Sequence, residues 1–595
     1  MAGLTDFEAR LLEEVSRENL WQHTKTIARW ERISGTQGER EAVAYLQERL
    51  NEYGIRTTVY EFDALLGWPE EAQIELRSPV RRAVKSITHS FVPSTPPEGL
   101  EAEVAYLGAG EDADFERQAV AGKIVLLDGM ASPMKVLRGQ KHGVLAEIFV
   151  QPTRLHDMCV SPVWGTPTTK TAELLPKMPV ASILGEDGRE IQALLQQGPV
   201  RLWMRTKTFW DWRTVPILVG QIDAPSESEQ FVLLSGHHCS WYFGAMDNGS
   251  ANATMLEVAR VLAAHRQQLR RSFRVAFWPG HTQGRYAGST WYFDHFWEDM
   301  HDNCVVHVNV DSTGARGANI YHSATMPETR DFALAAIHDA IGAEGHPARQ
   351  SRAGDQSFWG CGVPSMWMEL SQVPLEMAAD LGGSGLFTAA GQASAQPQGG
   401  MPWWWHSADD TPDKIDPEVH VRDTRVYLLA CARVATAQLL PFRYAPSAQL
   451  LRESLERYQA GAGDRFDLGP ALERARRVEA AAAEVDDLLD QLQRKPPAEV
   501  PFREINRDLM AMDRVLVTLN FSAVDPFEQD LAVPIPPVPQ LEPASRVGKM
   551  DAGAAETRYL ITELTRNRNR VAFQLREALA AAERAAATMR RALKA

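Results

Sequence analysis

The stretch of this chain that bears chemistry begins at GHHCSWYFGAMDNGSANA (236–253), where a run read as the strand FVLLSG ends in His237. Asp247 follows, just ahead of a helix expected over 250–264 with Asn248 or Ser250 as its cap. Asp311 closes the expected strand VVHVNVD (305–311), and His406 sits in PWWWHSADDTPDKID (402–416) before another expected helix. Taken singly, an Asp at a strand end is an ordinary cap or turn residue. Together, imidazoles and carboxylates at the ends of strands and the starts of helices form a donor set for a divalent cation. Zinc is the default because nitrogen ligands are present, although another divalent transition metal fits the same donors.

The elements that must position these side chains can be read from periodicity. From residue 216 strands and helices alternate: PILVGQI (216–222), FVLLSG, the helix 250–264 with Met255, Val258, Ala259 and Leu262 inward, SFRVAFW (272–278), VVHVNVD and VPSMWMEL (363–370). That pattern predicts an α/β fold, a mixed sheet flanked by helices. Two opening helices are expected over 5–32 and 38–53, then a strand over 57–62. Residues 76–215 change to short β-rich runs such as EAEVAYLG (101–108) and GKIVLLDG (122–129), which reads as an inserted module. After about residue 445 Ala, Glu, Arg and Leu dominate, and long helices are expected over 470–493 and 555–594, separated by the proline-rich 532–543.

The expected divisions are therefore 1–75 and 216–444 for the two parts of the α/β domain, the second holding the metal site, 76–215 for the insert, and 445–595 for a helical domain. Alanine-rich helical faces suit close packing, either between two copies in a homodimer or within one chain.

Composition removes several function classes. A net charge of −15 argues against nucleic acid or an anionic membrane as the main partner. Five dispersed cysteines without a C-x-x-C pair suggest neither a disulfide framework nor a cysteine zinc site, so a cytoplasmic location is expected. The first 30 residues alternate charged and apolar positions, unlike a signal peptide, and no apolar run is long enough for a membrane anchor.

Six segments carry a family resemblance: GHHCS (236–240), AMDNGSANATMLEVARVLA (245–263), FRVAFWPGHTQGRYAGSTWY (273–292), VNVDSTG (308–314), GDQSFWGCGVPSM (354–366) and HSADDTPDKID (406–416). In this order they resemble the co-catalytic zinc aminopeptidases and carboxypeptidases that include glutamate carboxypeptidase II and a non-catalytic relative, the transferrin receptor. The resemblance implies a zinc-peptidase-like sheet, a protease-associated domain at 76–215 and a helical dimerisation-like domain at 445–595, with LNFSAVDPFEQDLAVP (519–534) compatible with the latter. It also implies that His237 and Asp311 hold one metal, that Asp247 bridges two and that His406 serves the other.

The chain departs from this family where adjacent glutamates, one a general base and one a ligand, are expected after FWPG; here stand His281 and Thr282. An Asp that orients the first ligand histidine is replaced by Cys239. The second metal is left short of ligands, so one zinc ion rather than two is expected.

Three readings follow. His281 replaces glutamate as proton carrier beside a metal at His237, Asp247 and Asp311, as imidazole basicity allows. Alternatively His281 is itself a ligand with Asp247 and His406, or the site is disabled and the chain is a binding scaffold like the transferrin receptor. The first makes a metallohydrolase acting on a small amide or peptide, and a single metal also suits non-peptidase chemistry.

Trp241 and Tyr242 on one side and Trp405 on the other flank the ligand candidates, so an apolar or aromatic substrate portion is expected, although aromatic runs usually pack cores. Arg285 and Tyr286 are candidates for a substrate carboxylate or an oxyanion, with a structural ion pair as the alternative for Arg285. His238 is expected to point away from His237, Cys239 to be a small buried thiol, and Asp355 and Ser357 to shape the pocket or cap a turn.

Overall fold

The computed structural model describes residues 3–380, 399–494 and 499–594. Its central sheet is mixed. Strands Glu227–His237, Arg271–Trp278, Cys304–Asn309 and Ser365–Pro374 run parallel to their neighbours in the spatial order 271–278, 227–237, 304–309, 365–374. Antiparallel partners, Arg201–Ile222 on one flank and Ile320–Thr325 on the other, complete it. Parallel pairing puts the carboxyl ends of all four inner strands along one edge of the sheet, which is where an α/β sheet leaves room for a ligand.

Strand residues 231–234 show why the run FVLL is apolar throughout. Val232 and Leu234 enter a core shared with helices Ala251–Ala264 and Pro417–Thr436. Phe231 and Leu233 enter the opposite core with Phe293 and Met300 of helices Ala287–His295 and Trp297–Asn303. A strand buried on both faces gains nothing from alternation.

The opening segment differs from expectation. A helix over 5–32 is replaced by Asp6–Glu13 and Arg17–Ile27, because Ser16 turns extended and its side chain caps the second helix at Asn19 N. The helix expected over 38–53 is present as Gln37–Glu52. The 57–62 strand extends to Arg56–Ser78 and pairs along nearly its whole length with Arg201–Ile222, from Arg56↔Gln221 to Ser78↔Arg201. This ribbon carries the chain out of the central sheet and back. Between its arms, strands Leu100–Gly108, Ile124–Asp128, Ala146–Gln151 and Val180–Leu184 form a parallel array with helices Pro133–Lys141 and Gly185–Leu195, more helical than its β-rich sequence pattern suggests.

The C-terminal region is built of helices Ala445–Ala462, Gly469–Arg494, Phe502–Phe521 and Ala555–Lys594. Its alanine faces pack within the chain, with Ala475, Ala482, Ala578, Ala582 and Ala585 at most 1% exposed. Small side chains on facing helices let the backbones approach closely, so that stripe is already consumed intramolecularly. Among the described residues no helix is long and apolar enough to cross a membrane.

Candidate metal centre

His237 is the last residue of its strand and is 2% exposed. Its Nδ1 donates to the Cys239 carbonyl at 2.9 Å, which leaves Nε2 as the free lone pair of the neutral ring. That Nε2 stands 3.1 Å from Asp247 Oδ1 and 3.7 Å from Asp311 Oδ1. His406 repeats the pattern: Nδ1 donates to the Asp157 carbonyl at 2.7 Å, and Nε2 lies 3.1 Å from Asp247 Oδ2. Asp247 therefore offers one oxygen to each imidazole. The four ligand candidates read from sequence converge on one locus.

Two lone pairs facing each other at 3.1 Å repel unless something positive lies between or beside them. His237 Nε2 and Asp247 Oδ1 are both buried and without a hydrogen bond, so the gap calls for a proton or a cation. Donors about 2.0 Å from a tetrahedral cation lie about 3.3 Å apart, close to the spacings found. The imidazole and carboxylate donors thus fit zinc.

Without a cation, protons take that role. Burial disfavours the imidazolium, yet the carboxylates of Asp247 and Asp311 hold His237 well above the usual histidine range. Burial likewise opposes ionisation of Asp247, and hydrogen bonding and charge from His237 and His406 outweigh it, holding the carboxyl well below its ordinary value.

Asp311 corrects the sequence expectation in one respect. The strand stops at Asn309, so Asp311 lies in the loop beyond it. Asn248 holds that loop: its Nδ2 donates to the His237 and Val310 carbonyls at 3.1 and 3.2 Å, and its Oδ1 accepts from Ser312 N at 2.9 Å. Neither Asn248 nor Ser250 caps the helix with its side chain; Ser250 Oγ donates instead to the Thr313 carbonyl at 2.6 Å. The polar residues beside Asp247 are used to join strand ends.

His281 also reaches the site. Ligand-type nitrogens and oxygen of His237, His281 and Asp311 all lie within 4.8 Å of one another. The His281 ring stacks on that of His237, 3.9 Å between centroids and 22° apart. Its Nδ1 pairs with Asp355 Oδ2 at 2.7 Å, and its side chain is 11% exposed. Burial of Asp355 is outweighed by His281, whose charge and hydrogen bond lower that carboxyl. Thr282 is buried and its hydroxyl has no hydrogen-bond partner.

The remaining sequence candidates are distributed around these groups. Trp405 stacks on His406 at 3.6 Å and Trp241 meets the same ring edge-on at 6.1 Å; both are 6% exposed. Tyr242 is 37% exposed and hydrogen-bonds Asp157, whose burial pushes its carboxyl up to about 6. Arg285 Nε donates to the Ser161 carbonyl at 3.0 Å, and Tyr286, 5% exposed, stacks on Trp164 at 3.8 Å. His238 turns away as expected, pairing with buried Glu39 at 3.1 Å, and Cys239 is fully buried.

Residues that sequence reasoning missed hold this frame. Fully buried Arg32 donates to the carbonyls of Ile27, Trp30, His238, Phe243 and Gly244, clamping the loop between His237 and Asp247. Asp410 accepts from Met246 N at 2.8 Å and Asp247 N at 3.0 Å, while burial pushes its carboxyl up to about 7. Left-handed backbone at Tyr242, Arg285, Tyr286, Ser312, Asp355 and His406 gathers strain around the same locus, as functional sites do. HSADDTPDKID held one visible signal, the second acidic residue, and nothing local marked Arg32.

Comparison with known proteins agrees with this geometry. Residues 218–430 match the model of peptidase family M28. Over that segment the chain is similar to M28 peptidases. It is similar to the probable glutamate carboxypeptidase VP8 of Zea mays, 25% identical over 509 residues, covering 72% of this chain and 68% of that protein. Bovine carboxypeptidase Q is 25% identical over 278 residues, covering 44% of this chain and 57% of its own length, so the match spans little more than half of that relative. In fold the chain resembles the aminopeptidase of Aneurinibacillus sp. strain AM-1, with a TM-score of 0.55 at 18% identity, covering 72% of this chain and 96% of the other. The comparisons support a metallohydrolase with a segment similar to peptidase family M28, and His237, Asp247, Asp311 and His406 all lie inside that segment.

Proposed function

We propose that this chain is a metallohydrolase that cleaves a small peptide or amide carrying an apolar or aromatic group, using one zinc ion held by His237, Asp247 and Asp311, with His281 as the proton carrier and His406 on the other oxygen of Asp247. The observation that carries the reading is Asp247 set between two imidazole Nε2 atoms, 3.1 Å from each. Zinc bound there supplies Lewis acidity to a substrate carbonyl and acidifies water.

The side chains divide the remaining work. His281, with Nδ1 committed to Asp355, keeps Nε2 for accepting a proton from the attacking water and passing it to the leaving amine. Trp405 and Trp241 pack on His406, Tyr242 stands exposed beside Asp157, and these aromatic groups favour an apolar substrate portion over a charged one. Arg285 is the cationic candidate for a substrate carboxylate. Five buried free thiols suit a reducing, cytoplasmic setting, and Tyr559 and Phe573, 72% and 53% exposed on the last helix, offer a surface for a homodimer.

The test combines metal analysis with turnover of short peptides having an aromatic first residue. One tightly held zinc, and a fall of about 100-fold or more in kcat for His281→Gln with zinc retained, is the expected result. Zinc-independent turnover, or full turnover by His281→Gln, would overturn it.

A further inference from the structure

The His281 imidazole is held by a chain of hydrogen bonds that starts outside the M28 segment. Trp164, in the region between the two arms of the long ribbon, donates Nε1–H to Ser357 Oγ at 2.8 Å. Ser357 Oγ lies 2.8 Å from Ser289 Oγ, Ser289 donates to Asp355 Oδ1 at 3.0 Å, and Asp355 Oδ2 pairs with His281 Nδ1 at 2.7 Å. All of Trp164, Ser289, Ser357 and Asp355 are buried.

Proton direction is settled link by link. An indole N–H only donates, so Ser357 Oγ accepts from Trp164. Ser289 has one proton, and an ionised carboxylate is its stronger acceptor, so Ser357 gives its own proton to Ser289 at 2.8 Å rather than to Thr290 Oγ1 at 3.4 Å. Asp355 has protons to receive from Ser289 and His281 and none to return. Nδ1 of His281 is then the N–H and Nε2 the lone pair. A second contact reinforces the ring plane: Tyr286, stacked on Trp164 at 3.8 Å, meets the His281 ring edge-on at 4.7 Å.

We propose that Asp355, Ser357 and Trp164 are positioning residues that fix the tautomer and plane of His281, so that the segment between the ribbon arms is part of the reacting machinery. The proposal rests on the proton-carrier reading of His281 for its effect on turnover, but the tautomer itself is independent of any reaction.

The test reads the His281 ring nitrogens in metal-free full-length protein by NMR of 15N-labelled histidine, the signal being assigned by its loss in H281Q. Wild type should carry the proton on Nδ1. D355N should move it to Nε2, because an amide N–H can donate to a bare Nδ1, whereas S357A and W164F, which leave the Asp355 carboxylate in place, should keep it on Nδ1 and broaden the ring signals as the ring plane loosens. Turnover should fall about 100-fold in kcat for D355N and about 10-fold for S357A and W164F, with KM and zinc content unchanged. S357T, which keeps the hydroxyl, should restore both readouts.

An unchanged tautomer in D355N overturns the proposal. Ring signals and kcat left at wild-type values in both S357A and W164F overturn the role given to Trp164. A wild-type protein with the expected tautomer but no hydrolysis would sink the hydrolytic reading alone, so the two failures are told apart.

Discussion

The imidazoles of His237 and His281 lie face to face, 3.9 Å between ring centroids, one anchored by a main-chain carbonyl and the other by the Asp355 carboxylate. The partners differ in charge, and that difference sorts the roles. A neutral carbonyl suits a ring that gives its lone pair to a cation permanently, whereas a carboxylate stabilises a ring that becomes an imidazolium during turnover.

Asp247 is predicted to be the side chain on which metal retention depends most. Asp247→Asn keeps the size but weakens one of the two donor oxygens shared by His237 and His406. Zinc affinity should fall by about 100-fold or more, measured by competition with a chelator, with the fold intact by circular dichroism. Unaltered affinity would remove Asp247 from the ligand set.

Zinc binding should release protons. In metal-free protein His237 titrates well above about 6.5 and Asp247 well below about 3.9. The raised imidazole stabilises the fold fully below about pH 6.5 and loses that contribution as pH rises through its folded value. The lowered carboxylate contributes fully above about pH 3.9 and loses it as pH falls through its folded value. Metal-free protein is thus best stabilised by this pair between about pH 3.9 and 6.5, and at neutral pH zinc must displace the His237 proton. Calorimetry in buffers of different ionisation enthalpy should report about one proton released per zinc near pH 7; identical heats in all buffers would contradict this.

Thr282 occupies the place where the family resemblance leads one to expect a carboxylate ligand, and its buried hydroxyl has no hydrogen-bond partner. Thr282→Glu is expected to raise tightly held zinc from one to two equivalents, counted by elemental analysis. A second equivalent already present in the unmodified chain would refute the single-ion reading.

Arg32 is predicted to be structural and indispensable. Arg32→Met leaves the carbonyls of His238, Phe243 and Gly244 buried without donors, at a cost of about 3 kcal/mol or more, read from the urea midpoint. Arg32→Lys should not rescue, since a point ammonium cannot span carbonyls that a planar fork reaches together.

His237 and Asp247 are legible in the sequence as a strand end and a residue just ahead of a helix, whereas Asp311 lies in the loop beyond its strand and His406 is marked by the segment resemblance. Strand alternation and helical spacing are set by neighbours a few residues away, and the apolar runs 231–236 and 272–278 specified inner strands whose carboxyl ends share an edge. The same local logic predicts the orientation of His238 and helices over 470–493 and 555–594, found as Gly469–Arg494 and Ala555–Lys594.

Tertiary structure alone decided what holds those residues. Asp157 and Trp164 reach His406 and the His281 network from across 249 and 193 positions of chain, and Arg32 reaches Gly244 across 212. No periodicity records such pairings, because a buried carbonyl or hydroxyl accepts any donor that packing delivers. The alanine stripes show the same division: their composition dictated close helix packing, while which surface they met was settled by the path of the chain between them.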